Sequence, residues 1–252
     1  MRIGATFRFY GETNYFLPTG QRNIDIFHAF DWKTSIKDMV EALGVPHPEI
    51  DLMTVDRVAV DFEFILPTTG VYVEIFDRAD QVNLEQKIAL RPPLNEKPRF
   101  ILDTHLGRLA SYLRMMGFDT LYRNDYNDDE LAYVSHHDKR VLLTRDIGLL
   151  KRSLVIYGRF MRETDPKRQI VEVLRHYHLS SYVVPLQRCL KCNGVLGRVE
   201  KAAILPQLTE TTAQHFDVFH QCPDCGQIYW KGSHYEKMRQ FMEEVIATET
   251  EN

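Results

Sequence analysis

The chain has 252 residues, 44% of them hydrophobic and 26% charged, with a formal net charge of −4, the composition of a globular protein long enough for two or three modules that each bury a core. No apolar run reaches the ~18 residues of a bilayer span, and the N-terminus lacks the basic, apolar, small-residue layout of a secretory signal. A membrane role is therefore set aside, and a cytoplasmic location is the expectation. The charge is uneven: residues 1–91 carry 9 Lys+Arg against 14 Asp+Glu, 92–187 carry 15 against 12, and 188–252 carry 7 against 9. Six cations fall between Lys151 and Arg168, a cluster that suits phosphate or simply makes a solvated face.

In chain order, "IGATFRFY" alternates Ile3, Ala5, Phe7 and Phe9 with polar residues, the period of a half-buried strand. "TSIKDMVEALGVP" sets Ile36, Met39, Val40 and Leu43 at helical spacing, with Ser35 and Asp38 placed for a capping box and Gly44 and Pro46 as a stop. Alternation returns in "VAVDFEF" and "VYVEIF", and a small sheet with one helix across it is expected. The polar, proline-containing "RPPLNEKPR" reads as a linker.

From Phe100 strands and helices alternate. "RFILD" is a short strand, followed by a helix bearing Leu106, Leu109, Ala110 and Leu113 on one face. "DTLYR" is a second strand, "DDELAYVSHH" a helix with an acidic first turn suited to its macrodipole, "RVLLT" a third strand and "SLVIYGRF" a fourth. "TDPKRQIVEVLRHY" is a helix with Asp165 at N-cap and Pro166 at N1. Repeated βα units predict a parallel sheet covered by helices.

In such sheets function collects beyond the carboxyl ends of the strands, where Asp103 and Asp146 fall. The acidic run Asp125, Asp128, Asp129 and Glu130 lies between them, at or just before a helix start, with Asp128 the favoured ligand and the others alternates or dipole-compensating charges. Carboxylates gathered at one edge need a cation; Mg²⁺ or Mn²⁺ suits hard oxygen ligands and would activate water for attack on a phosphodiester. An Asp taken singly after a strand is more often a turn residue or helix cap than a ligand, and the joint pattern carries the reading. His105 is read as solvated or structural, and His136 and His137, adjacent on a helix, face different ways.

The four cysteines form two pairs, "CLKC" (Cys189, Cys192) and "CPDC" (Cys222, Cys225), with Gly194 and Gly226 close behind. Two such knuckles make a Cys₄ zinc site, and with no open position the zinc is expected to be structural. Tyr229, Trp230 and nearby cations suit either a base-stacking surface or packing of the ribbon.

With "FILDTHLGRLASYLRMMGFDTLYRND", "DDELAYVSHHDKRVLLTRD", both cysteine pairs and "CGQIYWKGSHYEKM", the chain resembles the PIN-like RNase domain family first recognised at the C-terminus of the Mutator-seven exonuclease. "SIKDMVEALGVPHPEIDLMTVD" resembles the ubiquitin-like β-grasp domain that often precedes it in bacterial members. The resemblance implies an α/β, PIN-like three-layer nuclease domain with an appended Cys₄ zinc ribbon, and an N-terminal α+β β-grasp domain. The boundaries expected are 1–91 for the β-grasp domain, 92–98 for a linker, 99–187 for the nuclease, 188–242 for the ribbon and C-terminal helix, and 243–252 for a tail. It also implies a metal-dependent ribonuclease with Asp103, Asp128 and Asp146 as metal ligands. The family pattern usually has an apolar residue where His105 stands and a small one where Ser135 stands. The β-grasp segment ends near "VEIFDRAD" without Gly-Gly, which argues against a covalent carrier role.

The leading expectation is hydrolysis of RNA, transfer or structured RNA included, at a Mg²⁺ or Mn²⁺ site held by Asp103, Asp128 and Asp146, with Asp129 or Asp125 assisting. Arg108, Arg140 and Arg145 are candidates to hold phosphate, since guanidinium binds it bidentately. The rival is a non-catalytic RNA-binding adaptor using the ribbon and the basic segment, whose β-grasp domain recruits a protein. A third expectation is a phosphatase or DNA nuclease, which the 2′-hydroxyl of RNA would distinguish.

Overall fold

The computed structural model describes residues 4–30, 32–67, 70–94 and 97–250, without the side chain of Thr250; Ile3 of the first predicted strand lies outside them. The chain forms two compact units, residues 1–93 with 146–160, and 94–145 with 161–252.

In the first unit β1 (Gly4–Phe9), β2 (Ile26–Ala29), α1 (Ile36–Ala42), β3 (Leu52–Val55), β4 (Val58–Val60) and β5 (Val71–Phe76) follow one another. The sheet order is β2-β1-β5-β3-β4, with β1 parallel to β5 and the other pairs antiparallel. Alternation in β1 sends Ala5, Phe7 and Phe9 inward, where they join Ile36, Met39 and Val40 of α1 and Val73 and Ile75 of β5 in one core. The Ser35 hydroxyl accepts from the Asp38 N–H at 3.1 Å, fixing the start of α1. The expected strand "VAVDFEF" is cut to Val58–Val60 because the chain turns at Phe62 and Glu63. This mixed sheet with its helix is the ubiquitin-like arrangement.

The second unit begins with β6 (Phe100–Leu102), α2 (Gly107–Met115), β7 (Thr120–Leu121), α3 (Asp128–His137) and β8 (Val141–Thr144). β6 is parallel to both neighbours, Phe100 facing Thr120 on one side and Val141 on the other. All three residues of β6 and all four of β8 are buried, so these strands read as apolar runs without alternation. Asn127 and Glu130 close a reciprocal capping box on α3. A short turn of helix, α4 (Ile147–Leu150), and β9 (Gly158–Phe160) follow within the first unit. The expected strand "SLVIYGRF" is confined to its last three residues; Ser153 to Tyr157 are irregular.

The chain re-enters the second unit with α5 (Pro166–Tyr177), capped by Asp165 through the N–H groups of Lys167 and Arg168. Its stripe of Ile170, Val173 and Leu174 is fully buried, each side chain contributing about 1.5–3 kcal/mol relative to exposure. After β10 (Gly197–Val199), α6 (Lys201–Ile204), α7 (Glu210–His215), β11 (Phe219–Gln221) and β12 (Ile228–Trp230) comes α8 (Ser233–Thr250). β10, β11 and β12 form an antiparallel ribbon, and α5 packs between α2 and α8. The residues from 243 to 250 are helical, where the sequence suggested a tail: Val245 is buried, Lys167 pairs with Glu244 at 2.6 Å and the Ser180 hydroxyl reaches Glu249 at 2.9 Å.

Candidate functional site

The candidate residues of the second unit fall in two places. The first is the carboxyl edge of the parallel strands. β6 ends at Leu102 and hands the chain to Asp103, whose N–H is fixed on the Leu143 carbonyl of β8 at 3.1 Å. The Thr144 hydroxyl donates to Asp103 Oδ2 at 2.7 Å, and the Thr104 N–H and hydroxyl both reach Oδ1. Of the about four acceptor directions of a carboxylate, Oδ1 uses two and Oδ2 one, so Oδ2 keeps a lone pair to offer a cation. Tyr122, just past β7, donates to the Thr104 carbonyl at 2.8 Å and so holds the turn that follows Asp103. Thr144 and Tyr122, which hold this carboxylate and the turn after it, are not singled out by sequence reasoning; the signal for Thr144 is a hydroxyl ending an apolar run.

Asp128 opens α3 and is exposed, and Asp129 follows it. Because β7 runs parallel to β6, the start of α3 belongs to the same sheet edge as Asp103. Asp125 is held by Arg123 in a two-point ion pair at 2.9 and 3.1 Å, which keeps its carboxyl below the usual range. Glu130 is committed to the capping box. In the first unit Asp146 caps α4, accepting from the Leu149 N–H at 3.1 Å. Among the described residues of the second unit, no group of three or more carboxylates is close enough to share one ion.

The arginines separate. Arg108 is exposed on α2. Arg140 is corrected by its position: it precedes β8, at the amino end of the strands, is only 6% exposed, pairs with Asp119 at 2.7 Å and reaches the Phe100 carbonyl. It holds the far edge of the sheet and is not placed to meet phosphate beside Asp103. Arg145 is at the right end, but its Nη1 donates to the carbonyls of Met161, Arg162 and Glu163 at 2.8–3.1 Å, so it straps that backbone.

The second place is the ribbon. The sulfurs of Cys189, Cys192, Cys222 and Cys225 lie within 4.8 Å of one another, with Cys189–Cys225 at 3.5 Å and Cys192–Cys222 at 3.4 Å. Zn–S bonds of about 2.3 Å in a tetrahedron put sulfurs about 3.8 Å apart, so the donor set fits zinc. At the first knuckle Asn193 takes the left-handed conformation (φ 71°), and Gly194 is needed for space, since a Cβ there would sit 2.7 Å from Cys222 Sγ and 2.3 Å from the Asp224 carboxylate. At the second knuckle Gly226 makes the turn (φ 73°). Burial opposes ionisation of Cys189, but the Tyr229 hydroxyl at 3.2 Å and the N–H groups of Cys192 and Lys191 outweigh it and bring the thiol down to about 7. Burial pushes Cys192 up to about 12. Four adjacent thiols cannot all ionise alone, and a dication at their centre favours the thiolates.

The first knuckle is keyed to the parallel sheet. Asn193 Oδ1 accepts from the Thr120 N–H of β7 at 2.9 Å and its Nδ2 donates to Asp119 at 2.8 Å. Arg188 also reaches Asp119, and Arg114, desolvated on α2, donates to the carbonyls of Thr120, Leu190 and Lys191.

Comparison with known families supplies the frame for both places. The Mut7-C RNAse domain matches residues 98–242, more than half of the chain. This chain belongs to that family. The Mut7-C ubiquitin domain matches residues 2–81, in agreement with the N-terminal mixed sheet. No curated protein and no solved structure matches the chain at a significant level. Membership in the Mut7-C RNAse family supports a nuclease-type function in general. No helix among the described residues is long and apolar enough to cross a membrane.

Proposed function

We propose that the chain is a metal-dependent ribonuclease in which Asp103, Asp128 and Asp146 hold Mg²⁺ or Mn²⁺, with Asp129 or Asp125 assisting. The observation that carries this reading is Asp103, set at the carboxyl end of β6 with its carboxylate fixed by Thr144 of the adjacent parallel strand, in a chain of the Mut7-C RNAse family. The donors are hard oxygens, which fits either cation; when bound, the ion would lower the pKa of a water and neutralise charge on the phosphodiester. The residues of the chain then have separate duties. Thr144 and the Thr104 N–H fix the Asp103 carboxylate and Tyr122 holds its turn; Arg108, exposed on α2, would meet phosphate. The Cys₄ ribbon, carrying structural zinc, stiffens β7. The sequence-drawn limits of 1–91, 99–187 and 188–242 belong to the same proposal, as does an RNA, transfer or structured, as substrate.

The second reading is an RNA-binding adaptor, in which the ribbon and the basic segment bind RNA. A panel of single-stranded, structured and transfer RNAs, incubated with Mn²⁺, Mg²⁺ or EDTA, separates the two. Products that need the metal and vanish in Asp103→Asn/Asp146→Asn support the nuclease. Tight RNA binding in EDTA with no cleavage under any condition would replace it with the adaptor.

A further inference from the structure

The segment that begins with Asp146 belongs by family match to the nuclease domain, yet it folds as part of the first unit, with the ubiquitin-like residues. The contacts are specific. Arg159, 3% exposed, donates through Nη1 to Glu49 Oε2 at 3.1 Å and through Nη2 to Glu12 Oε2 at 2.6 Å. Glu49 Oε1 accepts from the Phe160 N–H at 2.5 Å. The His47 ring lies between Glu41 Oε1 at 2.6 Å and the Val155 carbonyl at 2.8 Å. Lys151, which closes α4, donates to the Glu41 carbonyl at 2.6 Å, and the Phe160 ring meets Tyr15 and Phe16 at 5.6 and 5.7 Å.

A buried Glu49–Arg159 pair is an expensive way to stick two surfaces together, because apolar packing of equal volume usually does as well; what it adds is a defined register. The register extends to Asp146. The Asp146 carboxylate caps α4, α4 is one turn long, and its far end is pinned at Lys151. Fixing residues 151–160 therefore fixes where Asp146 begins the turn.

We propose that the ubiquitin-like domain binds its own chain: the face made by Glu12, Glu41, His47 and Glu49 clamps residues 146–160 and positions Asp146 for catalysis. This rests on the nuclease reading for its catalytic half, whereas the clamp itself does not. Glu49, Arg159, His47 and Lys151 are positioning residues, acting through the segment and touching no substrate.

The test uses the full chain with Glu49→Gln, which keeps an oxygen for the Phe160 N–H and removes the charge facing Arg159, with Glu49→Asp as the conservative variant and Lys151→Met as an independent release of the α4 end. Amide hydrogen exchange across 147–160 and in β1 and β5, and kcat and KM on the most rapidly cleaved RNA, are measured together. The expected result is faster exchange in 147–160 with β1 and β5 still protected, and a kcat lower by on the order of 10²-fold at near-constant KM, partly restored in Glu49→Asp. Unchanged exchange in 147–160 overturns the clamp, and loosened exchange with unchanged kcat overturns the positioning role. If the wild type cleaves no RNA with either metal, or Asp146→Asn cleaves as well as wild type, the nuclease reading of Asp146 fails and the positioning role with it, while the exchange data still decide the clamp.

Discussion

Asp119 shows what a single side chain does in the second unit. It is half buried, and burial alone would raise its pKa, but Arg140 and Asn193 outweigh that and Arg188 adds to them, so its carboxyl lies below the ordinary range. A depressed native pKa gives stability that is complete above the unfolded value of about 3.9 and is lost as pH falls through the native value. Asp119→Asn is expected to lower unfolding free energy near pH 7 by about 1–3 kcal/mol. Urea titrations should show the gap closing in acid; a gap constant from pH 7 to pH 3 would contradict the assignment. Thr144 acts on chemistry instead. Thr144→Val keeps the volume and loses the donor to Asp103, and it is expected to lower kcat by about 10–100-fold, as loss of a ligand-orienting partner does, with little change in the thermal midpoint. Full activity in that variant would remove Thr144 from the site.

The same reasoning at the level of elements shows what the sequence could reveal. Helix α5 is legible because its apolar stripe and its cap agree, with Asp165 and Pro166 ahead of Ile170, Val173 and Leu174, whereas α2, which has no side-chain cap, is legible from its stripe alone. β3 is illegible because all four of its residues are buried and it shows no alternation, and β2 is four residues with one side exposed. The end of the strand at which Arg140 stands is illegible for a related reason. A cation beside an apolar run looks the same at either end of a strand, and only the pairing of β6 with β8 shows which end faces the site. The zinc knuckle was legible from its spacing, but its attachment to β7 was not, since Asn193 and Thr120 are far apart in sequence. That attachment gives a probe. Removing zinc with a chelator, or Cys222→Ser, is expected to lower the thermal midpoint and to speed exchange of the Thr120 amide. Thr120 exchange that is indifferent to zinc would mean that the ribbon does not brace the sheet.

On the scale of the whole chain, family membership spans residues 98–242 and the ubiquitin-like match 2–81; periodicity shows a small sheet with one helix and a parallel sheet covered by helices, and the resemblance supplies the particular folds. Where 146–160 folds could not: its ties to Glu12, Glu41, His47 and Glu49 span more than a hundred residues of sequence, and nothing local in "SLVIYGRF" marks Arg159 as the buried partner of a glutamate. The charge census is also better understood in structure. Of the cations from Lys151 to Arg168, Arg159 is buried and Lys167 pairs with Glu244, so the basic run is in part internal structure and not a continuous nucleic-acid surface. A carboxylate-held metal acting on RNA is tested most directly by the single-turnover cleavage rate of one RNA across a Mn²⁺ titration for wild type and Asp103→Asn. The account expects a rate that saturates with metal in the wild type and falls at least about 10³-fold in the variant, as when essential active-site groups are removed, with native stability retained. Equal rates in the two proteins, or a wild-type rate indifferent to metal, would contradict it.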